Sequence, residues 1–506
     1  GSGKTTQVLR RMREAGERRP QLLLVPEQAS FETERRFCRE NGNQAGRYGE
    51  VLSFTRLENR VLSLGGGAAE PVLDAGGRLL VLYAALRSVQ ANLTVYAMPS
   101  QKPAFLTSLL TTLDELKSYC ITGEQLTQVG EETEGLDGEK LRDLGLIFGA
   151  YEAMTARGAL DPRDRLTRLA EKLRRFPFFQ GQDVYLDGFT DFTPQQGLVL
   201  AELLRQAHSV TLALTYGEGA GEEAVFAPAR KTLAWIKGLA AKVGCPVEEE
   251  ALPAGEWERT PPLRHLEQAL FAHPMPSYTG PWDGSIVVHE LPSPREEVAW
   301  AAGEIRALVR QGRVRYRDIV VTARSMDPYW EQLEGVFAQY DIPLFQADKT
   351  DLLQKPLFTL ITAALDAVNG GYLYEDMFRY LKTGLAGLSL PECDQLENYV
   401  LTWDIWGSRW TGAGGWTRHP GGYQQRFTPQ DEETLETLNA LRLRVIQPLE
   451  RLRKNAGGTI GEQVLALYQF LEEIHAPEHL EARSAALLHQ GEPELARQYS
   501  QLWEIF

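Results

Sequence analysis

Residues Gly1-Ser2-Gly3-Lys4-Thr5-Thr6 have the types and order that hold a nucleoside triphosphate. Backbone N–H groups of a glycine-rich turn cradle phosphates, a lysine reaches the β- and γ-phosphates, and a threonine hydroxyl ligates Mg²⁺. The string is the closing half of G-x-x-x-x-G-K-[ST], so the first glycine and the launching strand are expected upstream, in a longer protein. By itself the motif fits kinases, GTPases, transporters and helicases equally. A second string, His475-Ala476-Pro477-Glu478-His479, matches the H-x-x-E-H pattern of zinc peptidases. That chemistry needs both imidazoles on one unbroken helical turn, and Pro477 interrupts it, so the segment reads as a helix end. Cys38, Cys120, Cys245 and Cys393 lie far apart without C-x-x-C spacing, which points to reduced thiols and a cytoplasmic location.

The elements that must position the phosphate loop follow a strand–helix alternation. A helix is expected over 5–14, a doubly buried strand over 21–25, a strand over 50–54 and a helix over 56–64. From 74 to 175 apolar residues recur only at helical spacing, as in Leu79, Leu80, Leu82 and Leu86, which marks a helical insertion. Strands resume over 183–186 and 209–214, around a helix over 194–206. After a Gly-, Glu- and Pro-rich border over 217–281, further strands are expected at 286–288 and 318–321 and a short extended segment at 342–345, with helices over 295–311 and 329–340. Beyond Tyr374 the regular structure reads as helical, apart from a Gly/Trp-rich loop containing Trp406, Trp410 and Trp416.

At 506 residues the chain is expected to form about two to four domains. No apolar run is long enough to span a membrane. The net charge of −15, from 53 basic and 68 acidic residues, argues against a protein that simply coats DNA. A nucleic-acid channel needs only local positive charge, and basic clusters occur at Arg35-Arg36, Arg174-Arg175 and Arg451 to Lys454.

Three blocks narrow the class: Leu24-Val25-Pro26-Glu27-Gln28-Ala29-Ser30-Phe31, Ser53-Phe54-Thr55-Arg56-Leu57, and Leu186-Asp187-Gly188-Phe189-Thr190-Asp191-Phe192-Thr193-Pro194-Gln195-Gln196. Together with Asp318-Ile319-Val320-Val321, Ile342-Pro343-Leu344-Phe345 and Leu396-Glu397-Asn398-Tyr399, they resemble the AddB family across essentially the whole chain. Its members are the second subunits of bacterial AddAB helicase–nucleases, which process double-strand breaks. The resemblance implies an α/β fold of two RecA-like parallel-sheet cores, of helicase type, with large all-helical insertions. The expected division is 1–73 and 180–280 for the first core, 74–179 for its insertion, 281–370 for the second core and 371–506 for a further helical insertion.

Against the helicase pattern D-E-F-Q-D-T-N-x-x-Q, Asp187, Phe189, Asp191 and Gln196 match, but Gly188 replaces the catalytic Glu and Thr190 the Gln. Without that carboxylate nothing positions the attacking water, so no catalytic residue is assigned. Thr215-Tyr216-Gly217-Glu218 likewise replaces the nucleotide-sensing block. The resemblance implies ATP with Mg²⁺ held by Gly1, Ser2, Gly3, Lys4, Thr5 and Thr6. It also implies that Asp187 faces Thr5 across the metal and that Arg324 is a candidate phosphate or interdomain contact. It implies DNA contacts at Gln28, Ser30, Phe54, Arg56 and Phe189, on loops at strand C-terminal ends, where the family reads the Chi sequence. The plain alternative places Phe54 in the core and pairs Arg56 with a nearby carboxylate such as Glu50. The implied partners are DNA (duplex ends and single strand) and an AddA-like helicase–nuclease subunit. The nuclease domain, helicase motifs five and six and the ligands of an iron–sulphur cluster are expected beyond residue 506. Two rival readings are an ATP-hydrolysing translocase using Glu27 or Asp191, and a small-molecule phosphotransferase.

Overall fold

The computed structural model describes residues 3–42, 44–67, 69–98, 102–217, 224–252, 260–345, 352–423 and 426–506. The chain divides into two compact units, Gly1–Glu290 and Leu291–Phe506.

The first unit is built on a four-stranded parallel sheet of β1 (Gln21–Leu24), β2 (Gly49–Leu52), β3 (Asp183–Leu186) and β4 (Ser209–Leu212), in the order β2-β1-β3-β4. Leu24 is level with Leu52 on one side and Leu186 on the other, and Leu186 with Leu212, so the strands end together along one edge. The apolar run of β1 is buried throughout. Its side chains alternate: Leu22 and Leu24 face one core, Leu23 and Val25 the other. Helices α1 (Lys4–Ala15) and α2 (Ser30–Asn41) cover the second face with Val8, Leu9, Met12 and Phe37. Helices α3 (Phe54–Gly65), α8 (Arg165–Arg175) and α9 (Pro194–Gln206) cover the first with Leu57, Val61, Leu169, Leu173 and Leu203.

Between α3 and α8 the chain leaves the sheet for α4 (Ala75–Val89), α5 (Pro103–Ser118), α6 (Gly123–Glu132) and α7 (Gly135–Thr155). These enclose a separate core around Leu82, Leu113, Ile147, Phe148 and Tyr151. The entering and leaving segments meet in a parallel bridge at Val72 and Leu160, where the Leu73 N–H donates to the Leu160 carbonyl at 2.8 Å. The unit also carries α10 (Ala227–Val243) and α11 (Pro261–Ala269).

In the second unit α12 (Pro294–Arg310) packs on α13 (Trp330–Gln339) through Val298, Ala302, Leu333 and Phe337. A larger helical core follows, from α14 (Pro356–Gly370), α15 (Tyr374–Leu381), α16 (Leu390–Trp403), α17 (Ser408–Thr411) and α18 (Pro429–Asn455) to α19 (Ile460–Glu473), α20 (Ala476–His489) and α21 (Pro493–Ile505). The Gly/Trp-rich loop closes on this core: Trp403 Nε1 donates to the His419 carbonyl at 3.0 Å and Trp416 Nε1 to that of Arg409 at 2.9 Å. His475, in the left-handed region, precedes α20, and Pro477 occupies the first turn, so this segment opens a helix rather than closing one.

The α/β class with helical insertions is borne out. Hydrogen-bonded strands among the described residues are nevertheless confined to the first sheet. The expected strands at 286–288 and 318–321 form no ladder, and Val288 and Val320 are 89% and 82% exposed. Apolar β-branched composition favours a pleated, half-buried surface, but a strand exists only where a neighbour supplies backbone partners.

Candidate nucleotide and nucleic-acid site

Gly1 and Ser2 lie outside the described residues, as does Glu218. Gly3 caps α1 in the left-handed conformation (φ 74°), and its carbonyl accepts the first helical bond from the Gln7 N–H at 2.8 Å. The unpaired N–H groups of a helix start favour a negative ligand, and half-buried Lys4 and Thr5 stand in this first turn with exposed Thr6. Asp187, buried at the end of β3, anchors its own N–H on the Leu24 carbonyl at 3.1 Å. Thr5 Oγ1 donates to Asp187 Oδ2 at 2.5 Å, so the sheet brings together two residues 182 positions apart. A hydroxyl and a carboxylate, both hard oxygen donors, beside a lysine at a helix start fit a Mg²⁺-bound phosphate.

Arg36, on α2, donates to Thr6 Oγ1 at 2.8 Å and pairs with Glu40 at 2.6 Å, which places a guanidinium beside the loop. The sequence signals it only as half of the pair Arg35-Arg36, because its approach depends on how α2 lies against α1.

Gly188 follows Asp187 with φ +81°, and a Cβ added there would lie 3.2 Å from Pro26 Cδ. An L-residue in this conformation costs about 1–2 kcal/mol, so the position disfavours the glutamate of active motors on backbone grounds as well. Exposed Asp191 accepts from the Thr190 hydroxyl at 3.3 Å, and Glu27 is exposed in the turn after β1.

The residues expected to meet DNA surround the same strand ends but differ in access. Gln28 is exposed. Ser30 is buried, and its hydroxyl donates to the Glu27 carbonyl at 3.0 Å. Phe54 and Phe189 are only 7% and 9% exposed and meet edge to face, with ring centres 5.8 Å apart. Phe189 in turn packs on Phe192, which stacks with Trp235. Arg56 is partly exposed and pairs with Glu34 at 2.9 Å, whereas Glu50 pairs with Arg60 at 3.4 Å. Arg56 thus pairs with a nearby carboxylate, but with Glu34 of α2 rather than Glu50, which Arg60, one turn on, engages instead. Phe31, 73% exposed on α2, is an aromatic of this edge that spacing alone did not single out. Arg324 lies exposed in the second unit, after the extended stretch ending at Val321.

A family model described as ADDB, N-terminal, matches residues 1–267. The B-type subunit of the ATP-dependent helicase/deoxyribonuclease of Acetivibrio thermocellus is 32% identical over 518 residues, covering 99% of this chain and 45% of that protein. The protein of the same name from Desulforudis audaxviator is 34% identical over 532 residues, covering 100% of this chain and 46% of its own length. That from Clostridioides difficile is 32% identical over 529 residues, with 100% and 45% covered. The chain thus spans a little under half the length of these relatives.

Proposed function

The chain belongs to the AddB family, and from that premise we propose that it is the DNA-tracking part of a helicase–nuclease subunit acting at double-strand breaks, with a motor that binds ATP and Mg²⁺ without productive hydrolysis. Gly188 carries the reading: beside the Thr5–Asp187 pair, where an active motor places its general base, the chain has a left-handed glycine against Pro26. Lys4 would hold the β- and γ-phosphates, Thr5 and Asp187 the metal, and Arg36 would add positive charge. Bound Mg²⁺ supplies charge neutralisation and orientation of the phosphates.

Single-stranded DNA would cross the C-terminal edge of the sheet, where open α/β folds present ligand loops. Exposed Gln28 and partly exposed Arg56 are the direct base or phosphate contacts, and the buried Phe54–Phe189 pair sets the shape of the floor beneath them. This surface would read a Chi-type sequence, with an AddA-like partner supplying most of the translocation. Any iron–sulphur cluster would draw its ligands from outside residues 1–506.

The test is steady-state ATP hydrolysis by the isolated protein, with and without single-stranded DNA. Saturable nucleotide binding without DNA-stimulated turnover is expected. DNA-stimulated turnover abolished by Lys4→Ala would overturn the inactive motor and favour a translocase. For sequence reading, Gln28→Ala and Arg56→Ala should leave unwinding by the two-subunit complex intact and abolish its response to the regulatory sequence. A normal response in both variants would remove this surface from the reading.

A further inference from the structure

The second unit contains a polar cavity of about 600 Å³, between the loop Thr411-Gly412-Ala413-Gly414-Gly415 and one face of α18. Asn439, Arg442, Gln447, Glu450, Arg451 and Lys454 line it at helical spacing. Arg442 is 3% exposed. One of its Nη atoms donates to the Trp410 carbonyl at 2.6 Å and to that of Gly412 at 3.2 Å, while its Nε finds no hydrogen-bond partner among the described residues. Its guanidinium stands 5.8 Å from the centre of the Trp416 ring. No carboxylate pairs with it among the described residues, and desolvation pulls its pKa below the usual arginine value. Buried charges are ordinarily paired, because an uncompensated one carries a desolvation penalty.

The carboxylate that lines the cavity, Glu450, is already engaged by the Tyr372 hydroxyl and by Arg453 at 3.1 Å. Arg451 is held by Glu473, with Nε 2.9 Å from Oε2, and Lys454 stands exposed at the rim. The opposite wall is fixed in place. Asn439 Oδ1 accepts the Trp416 N–H at 2.7 Å and Asn439 Nδ2 donates to the Trp416 carbonyl at 2.9 Å. Gly415 is left-handed (φ +67°), and a Cβ there would lie 2.9 Å from Asn439 Oδ1, so a side chain would strain the turn and press on Asn439.

We propose that this cavity binds a phosphate-bearing ligand, with Arg442 as the buried anchor and Lys454 as the charge at the rim. The second Nη of Arg442, not sealed off as Nε is, has no hydrogen-bond partner among the described residues, and in a preformed polar cleft it is complementary to a phosphate oxygen. The phosphate belongs either to a nucleic-acid backbone or to a free anion. Equilibrium dialysis with labelled inorganic phosphate and fluorescence anisotropy with labelled oligothymidylate distinguish the two. Both are run in a Lys4→Ala background so that the phosphate loop does not report.

The exposed rim variants Lys454→Glu and Gln447→Glu keep the test clear of folding defects, and Arg442→Lys is added where its melting curve matches the parent. Each is expected to weaken binding roughly three- to tenfold. Arg444→Glu, elsewhere on α18, is expected to leave binding unchanged. Loss with the oligonucleotide assigns the site to a backbone phosphate, and loss with inorganic phosphate alone assigns it to a free anion. Unchanged binding of both probes, or an equal loss with Arg444→Glu, would overturn the proposal and leave Arg442 as a clamp on its loop.

Discussion

Gly188 and Thr5 define the chemistry of the sheet edge more sharply than any other positions. If Gly188 were only a lost carboxylate, restoring it would restore hydrolysis. Its left-handed backbone and the approach of Pro26 argue otherwise. Gly188→Glu is expected to cost about 1–2 kcal/mol in urea unfolding and to gain no DNA-stimulated ATP turnover. Turnover in that variant would show that the carboxylate alone was missing. Thr5→Val, close in shape, removes the donor to buried Asp187 and is expected to cost about 1–3 kcal/mol. It should also abolish the Mg²⁺ dependence of nucleotide binding, and a Mg²⁺-dependent affinity equal to the parent's would exclude Thr5 as a metal contact. Which residues lie near these strand ends was legible in the sequence, because parallel strands announce themselves as apolar runs. How far each is exposed was not. Phe54 is covered by Phe189, which Phe192 and Trp235 support from elsewhere in the chain, and the Arg56 partner, Glu34, comes from α2.

The helical insertion shows how an element can be tied down by charge. Asp161, 1% exposed, lies 3.0 Å from Arg78 Nε and 3.1 Å from Lys117 Nζ. It also accepts the Tyr151 hydroxyl and the Arg163 N–H, each at 2.8 Å. Burial by itself pushes its carboxyl up, but the Arg163 amide, Lys117 and Tyr151 together hold it below the usual carboxylate range. A carboxylate depressed on folding stabilises above its unfolded pKa and loses that contribution as pH falls through the folded value. The insertion is therefore expected to hold this stabilisation at neutral pH and to lose it in acid, below about pH 4. Glu152 on α7, raised by burial, contributes in the opposite direction. Asp161→Asn removes one carboxylate from Arg78 and Lys117, which keep Asp114 and Asp164, and is expected to cost about 1–3 kcal/mol. It should also flatten the acid limb of a helix melt followed by circular dichroism, and an unchanged acid limb would assign that limb to other groups. The insertion itself was legible, since a hundred residues of helical periodicity leave no room for strands. The network was not, because its members come from α4, α5, α7 and the segment before α8, and no spacing in the chain connects them.

At the scale of the molecule, the two units have separate cores, and the candidate nucleotide site draws only on the first. Two cores of this kind need not melt together. A ligand that binds one folded unit stabilises that unit alone, by about 2.7 kcal/mol when present at a hundred times its Kd. Calorimetry of the chain is therefore expected to show two transitions, with Mg²⁺–ATP raising one. Trp410 is fully buried in the second unit and packs edge to face on Trp416 at 5.3 Å. Trp410→Ala opens a cavity expected to cost about 3–5 kcal/mol. It should lower the transition that ATP does not move and leave nucleotide affinity unchanged. The pairing of these two perturbations makes the test strict, since each is confined by structure to one unit. A single transition shifted by both would mean that the units fold as one, and nucleotide bound at Lys4 and Thr5 would then be coupled energetically to the helical core around Trp410.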